Sequence, residues 1–142
     1  MSRDQRKSVL VVDDDDSVRE LLTECLSVEY DVLSARNGAV AKQMLATIQV
    51  DLVLTDLHMP GGNGDELARH IKITQPELVV IIHSGSLDTF VPVVPLREVA
   101  EVLLKKPCTF TELVTTVRTQ LMRAERRTVT VNRGRARLVR AG

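Results

Sequence analysis

Apolar residues come in short blocks along this chain, separated at regular intervals by polar and turn-forming residues. Val9-Leu10-Val11-Val12, Leu52-Val53-Leu54, Leu78 to Ile82 and Val102-Leu103-Leu104 are aliphatic runs rich in β-branched side chains. Their shortness and their turn-rich flanks predict strands buried on both faces, the central one over 51–55. Asp31 to Ala35 supplies a shorter strand, the second in chain order. Between the runs the period changes to that of a helix. Val18, Leu21, Leu22, Cys25 and Leu26 follow i, i+3, i+4, i+7, i+8 behind a cap at Asp16 or Ser17. Val40, Ala41, Met44, Leu45 and Ile48 repeat the pattern after Asn37-Gly38, and Leu67, Ala68 and Ile71 do so over about 65–74. Phe110, Leu113, Val117 and Leu121 form the stripe of a last helix, opened by the capping box Thr109-x-x-Glu112. Cys25 and Met44 lie on these stripes and read as core residues.

One interval breaks the rhythm. Between the fourth and fifth strands stand Pro92 and Pro95, each without an N–H and each in conflict with the preceding turn, so no long helix crosses both. A short helix starting at Pro95 and ending near Val99 is expected instead. Strands alternating with helices at this spacing require crossover connections. They predict an α/β fold, a doubly wound five-stranded parallel sheet with helices on both faces and the fourth helix short or irregular.

The strand ends carry the candidate chemistry. The first run ends in Asp13-Asp14-Asp15-Asp16, the third in Asp56, the fourth in His83-Ser84-Gly85 and the fifth in Lys105-Lys106-Pro107. Each has a bland reading, since acidic runs are usually solvated, strand-end hydroxyls usually cap, and a Lys before Pro is usually on the surface. In an open parallel sheet, however, the carboxyl edge is where ligands sit, and here it gathers all four. Asp13, Asp14 and Asp56 would repel one another there unless a cation intervened. Mg²⁺ suits oxygen ligands of this kind, and Ser84 and Lys106 supply a donor and a point charge for a phosphoryl group. A carboxylate so placed can attack phosphorus and hold an acyl phosphate. The loop Met59-Pro60-Gly61-Gly62-Asn63-Gly64 permits tight turns beside the site.

Composition limits the alternatives. A chain of 142 residues suffices for one core without staples, and the two cysteines are too few for a disulfide framework. No stretch has the length and apolarity of a membrane span or a signal peptide, so a soluble cytoplasmic protein is expected, with no membrane partner. Formal charge is zero, yet residues 118–142 hold eight Arg and one Glu, a formal +7, against 11 Lys+Arg and 18 Asp+Glu, a formal −7, in residues 1–117. The three aromatics, Tyr30, Phe90 and Phe110, offer no stacking platform for single-stranded nucleic acid. Nucleic acid therefore enters only through the basic end.

Taken together, Val11-Val12-Asp13-Asp14, Asp56, Met59-Pro60 with Gly64, Ser84-Gly85 and Lys106-Pro107 make the chain, over about residues 8–122, resemble the response-regulator receiver domain of two-component signalling, of the CheY-like superfamily. The resemblance implies a flavodoxin-like strand order of 2-1-3-4-5 and a cis Lys106–Pro107 bond. It implies phosphoryl acceptance on Asp56 from a histidine kinase or phosphotransfer protein. It also implies Mg²⁺ held by Asp14 and Asp56, by Asp13 largely through water, and by the backbone carbonyl of His58. Such a protein is a self-catalysed phosphoacceptor with weak autophosphatase activity rather than an enzyme, and it changes its affinity for an output partner. A second copy of the chain is one candidate partner. A stand-alone receiver, a phosphorelay intermediate and the receiver portion of a longer protein all share this pattern.

The competing class is an Asp-nucleophile phosphatase, which carries a second Asp two residues after the nucleophile. Here that place holds His58, whose side chain beside the phosphoryl site is positioned to influence water access. His70 reads as a surface residue and His83 as a satisfied strand-end residue. The chain departs from the receiver pattern where Leu103 replaces a Tyr or Phe, where Val99 replaces a Gly, and at the two prolines. These touch the signalling route rather than the chemistry. The division expected is a receiver over 1–124 followed by a basic tail, linker or hairpin over 125–142. The hairpin reading comes from Thr128-Val129-Thr130-Val131 and Arg135 to Arg140, alternating about Asn132-Arg133-Gly134.

Overall fold

The computed structural model describes residues 6–141. Strands β1 (Ser8–Val12), β2 (Asp31–Ala35), β3 (Leu52–Thr55), β4 (Val79–Ser84) and β5 (Val102–Lys105) alternate with helices α1 (Asp16–Leu26), α2 (Gly38–Leu45), α3 (Gly64–Thr74), α4 (Leu96–Val99) and α5 (Phe110–Ala141). All pairings are parallel and the order is β2-β1-β3-β4-β5, as expected.

Alternation along the strands divides the interior in two. Leu10, Val12, Val53, Val80 and Ile82 point into one cluster with Ala41, Leu67, Ala68 and Ile71 of α2 and α3. Val9, Val11, Leu52, Leu54, Val79 and Ile81 point into the other with Leu22, Leu26, Leu113, Val117 and Leu121 of α1 and α5. Consecutive strand residues thus bury on opposite faces, which is why the runs read as continuous. Fully burying one such aliphatic side chain contributes about 2 kcal/mol.

Several edges move. The cap of α1 is Asp15, whose carboxylate accepts from the N–H groups of Ser17 and Val18, one residue before the expected cap. Strand β4 runs two residues past Ile82, so that His83 and Ser84 are buried strand residues. Leu21, Ile48 and Phe110, assigned to buried stripes, are exposed; Ile48 lies beyond the end of α2 and Phe110 is the first residue of α5. The capping box forms, with Glu112 N–H donating to Thr109 Oγ1 and Thr109 N–H donating to Glu112 Oε2, each at 3.1 Å. Helix α4 has four residues, with Pro95 at its cap.

The C-terminal segment, read as a basic tail, linker or hairpin, differs most. No hairpin forms over Thr128 to Arg140, and α5 instead continues as one helix to Ala141. The alternating Thr-Val pairs favour strand locally. A helix already nucleated and packed through Leu113, Val117 and Leu121, however, extends at the cost of one residue at a time, and arginine is a good helix former. Ala124 packs against the core, whereas 125–131 are exposed.

Candidate functional site

The ends of β1 and β3 meet at the switch point of the sheet, and those of β4 and β5 follow along the same carboxyl edge. Asp13 follows β1 directly, is 2% exposed, and takes the N–H of Asp15 on Oδ1 at 3.0 Å. Asp14 is exposed. Asp56 follows β3; its N–H donates to Val12 O at 2.9 Å, fastening it to β1, and its Oδ1 accepts the N–H of Leu57 at 2.7 Å. One carboxylate oxygen from each of Asp13, Asp14 and Asp56 lies within 4.8 Å of the others. Lys106 reaches in from just beyond β5, with Nζ 2.9 Å from Asp13 Oδ2 and 3.4 Å from Asp56 Oδ2. The Lys106–Pro107 bond is cis. Lys105, one residue earlier, points away and pairs with Asp88 at 2.7 Å, as the period of a strand requires.

The electrostatics are those of crowded anions around one ammonium. Burial pushes the Asp13 carboxyl above its ordinary value, against the pull of the Asp15 N–H and of Lys106. Burial alone would lower the Lys106 ammonium, but the bonds and charges of Asp13 and Asp56 outweigh it and hold the lysine above its ordinary value. Three carboxylates against one lysine leave the pocket short of positive charge, and the donors are all hard oxygens. The set fits a divalent cation such as Mg²⁺.

Ser84 is 1% exposed, and its Oγ lies 3.0 Å from Ser86 Oγ and accepts the Ser86 N–H at 3.2 Å. The loop after β3 owes its course to glycine. A Cβ on Gly64 would lie 2.0 Å from the Asp56 carbonyl oxygen, and Gly61 takes a φ of 88°. The exposed His58 ring stands 6.0 Å from Phe90, tilted by 56°.

His83 is not the satisfied residue expected. It lies on the opposite face of β4 from Ser84, with Nε2 3.4 Å from Cys108 Sγ and a buried Nδ1 that has no partner among the described residues. Burial, reinforced by the Lys106 charge, lowers its pKa to about 4. His70 is half-buried rather than fully on the surface. Sequence reasoning also missed Asp65, which is 1% exposed; its Oδ2 accepts the N–H of Val93 at 2.9 Å and its Oδ1 has no partner among the described residues. An acid in the first turn of a helix reads as a solvated dipole partner, and only the proline-rich chain packed over α3 makes it something else.

A 2-1-3-4-5 sheet with three carboxylates, a hydroxyl and a lysine at its carboxyl edge is a flavodoxin-like domain built around an acidic pocket. Residues 9–118 match the profile of the response regulator receiver domain, and the chain belongs to that family of two-component systems. It is similar to the response regulator protein PilR of Pseudomonas aeruginosa, 40% identical over 59% of this chain and 20% of PilR. It is 36% identical to the DNA-binding response regulator MtrA of Mycolicibacterium smegmatis, over 84% of this chain and 53% of MtrA. The chain thus spans about a fifth to a half of these relatives' length. Among solved structures, the response regulator TrrA of Thermotoga maritima in complex with Mg²⁺ and BeF superposes with a TM-score of 0.71 at 30% identity, covering 80% of this chain and 98% of that one. A CheY-like receiver domain protein of Methanospirillum hungatei shares the fold, with a TM-score of 0.79 at 21% identity over 87% of this chain and 99% of that one. Among the described residues no helix is long and apolar enough to cross a membrane.

Proposed function

We propose that this domain accepts a phosphoryl group on Asp56, in a reaction that requires Mg²⁺, and thereby changes its affinity for an output partner in the cytoplasm. The observation that carries the reading is Lys106 bridging Asp13 and Asp56 beside the buried Ser84 hydroxyl. The donor is a phosphohistidine of a histidine kinase or phosphotransfer protein. An Asp56 carboxylate oxygen bonds to phosphorus as the donor's P–N bond breaks, and the electron pair leaves with the imidazole nitrogen. In this reading Lys106 and Ser84 meet the phosphoryl oxygens, the lysine by charge and the hydroxyl by donating a hydrogen bond. The N–H of Leu57 holds the carboxylate in place. Asp13, Asp14, Asp56 and the His58 carbonyl would hold the cation, which when bound neutralises charge on the transferring group.

Incubating the full chain with a small phosphoramidate donor and Mg²⁺ tests this. Stoichiometric, acid-stable and base-labile labelling is expected, abolished by Asp56→Asn and by chelation. Continuous turnover of phosphomonoesters, or full labelling of the Asn variant, would overturn the assignment.

A further inference from the structure

Helix α5 has two halves with different surroundings. Through Ala124 one side of it packs on the sheet, opposite the strands' direction, so its far half emerges at the amino edge of the sheet, away from Asp56. Lys7, Asp51, Glu77 and Leu78 mark that edge beside Leu121 and Thr128. Beyond it the chain carries no acid after Glu125, and its cations are all arginine. Arg123, Arg126, Arg127 and Arg133 are exposed, and among the described residues none makes an ion pair. Positions 123, 126 and 133, with Thr130 between, keep the three–four spacing of one helical face, and 127 borders it. That face is turned from the stripe of Leu113, Val117, Leu121 and Ala124. In the sequence, Arg137 and Arg140 continue the same spacing.

We propose that this face of α5 docks on double-stranded DNA through its phosphate backbone. A run of like charge along a free helix repels itself and a second such helix alike, so its stable surroundings are a polyanion. The guanidinium fork matches phosphate oxygens in pairs, which an ammonium does not. A bare helix about 10–12 Å across matches the roughly 12 Å major groove of B-form DNA, whereas the groove of duplex RNA is too narrow. The lack of aromatics sets single strands aside. The separation of charge sets the orientation, because the acidic pocket at the other end of the molecule is repelled by the same phosphates. The contacts proposed are to phosphate, which carries no sequence information, so binding is expected to be independent of sequence.

Fluorescence anisotropy of the full chain with a labelled duplex of about 25 base pairs tests this independently of Asp56 labelling. Four phosphates neutralised give a slope of about −3.6 in log affinity against log salt, so affinity falls roughly 100-fold between 50 and 200 mM KCl. Arg123→Gln/Arg126→Gln/Arg127→Gln/Arg133→Gln should weaken binding at 50 mM at least tenfold and flatten the slope, with helicity by circular dichroism unchanged. The corresponding four Lys replacements, which keep the charge, should retain the slope and guard against loss of folding in the Gln variant. Several results would overturn the proposal: no binding to the duplex at 50 mM KCl, an unchanged slope in the Gln variant, or tighter binding to duplex RNA. Preferential binding to vesicles of anionic phospholipid, or a chain dimer that needs the four arginines and excludes DNA, would do the same.

Discussion

His83 is the residue whose cost is clearest. The residue is 8% exposed, its Nδ1 has no partner among the described residues, and its pKa of about 4 lies below the ordinary 6.5. A histidine depressed in the folded state is neutral there while the unfolded chain takes up a proton. Its effect on stability is therefore absent above about pH 6.5 and grows unfavourable as pH falls toward 4, reaching about 3 kcal/mol. His83→Leu removes both this titration and an unsatisfied nitrogen, and is expected to be neutral or stabilising at pH 7. Urea melts at pH 7, 6, 5 and 4 check it: the advantage of the variant should widen steadily toward acid, and a constant difference would refute the assignment. The paired lysines give a second contrast. Lys106 competes with any cation for Asp13 and Asp56, while Lys105 engages Asp88 on the surface. Lys106→Ala should tighten Mg²⁺ binding about fivefold, on the order of 1 kcal/mol, in fluorescence or calorimetric titrations, and Lys105→Ala should leave it unchanged.

Among the elements, the segment between β4 and α4 carries the signalling question. Near its start Ser86 bonds to Ser84, and Ser86 O accepts the N–H of Phe90 at 2.9 Å. Near its end Val93 is tied to Asp65. The segment thus spans from the hydroxyl of the acidic pocket to a buried carboxylate on α3. Leu103 sits half-buried in the same cluster as Val99 and Leu96, with no ring to turn. Repacking of residues 86–99 is the route we expect for phosphorylation to reach a partner, since some element must differ in free energy between the two states. Asp65→Ala removes one tether, and the exchange of the Val93 amide should rise about tenfold, equivalent to about 1.4 kcal/mol, by NMR. Asp65→Asn, which keeps a carbonyl oxygen for Val93, should leave exchange near the wild-type rate. With Mg²⁺ and beryllium fluoride, backbone shifts should spread through 88–103; shifts confined to the loops of Asp14, Asp56, Ser84 and Lys106 would exclude this route.

Across the whole molecule, what the sequence disclosed depended on how locally each feature is determined. Pro92 and Pro95 foretold a short α4 ending near Val99 because a missing N–H acts within one turn. Asp13, Asp56 and Lys106 were readable because short parallel strands deliver their ends to one edge whatever the loops do. Ser84 was placed correctly at that edge, but its inclusion with His83 in β4 was not, because polar side chains end an apolar run before the backbone pairing ends. Asp65 and the unsatisfied His83 depend on what packs over them from distant parts of the chain, and no local pattern carries that. The helical state of the far half of α5 was not legible for the opposite reason, since its local pattern is alternating and its state is inherited from the packed half. Residues beyond Glu125 add little to the core, so deleting 126–142 should shift the melting temperature by less than about 4 °C, or 1 kcal/mol, in differential scanning calorimetry, and leave Asp56 labelling intact. Unfolding of the truncated chain would show that the division near residue 124 is wrong.

A helix of 32 residues rooted beside the acidic pocket is also a lever. Its root at Thr109 follows Lys106 by three residues, its flank is gripped by the sheet as far as Ala124, and its remaining 17 residues extend about 25 Å at 1.5 Å each. A tilt of about 10° at the edge of that grip would carry the free end through about 4 Å, comparable to the rise of most of a helical turn. Displacements too small to alter the shape of the pocket would therefore be magnified at the opposite pole of the molecule.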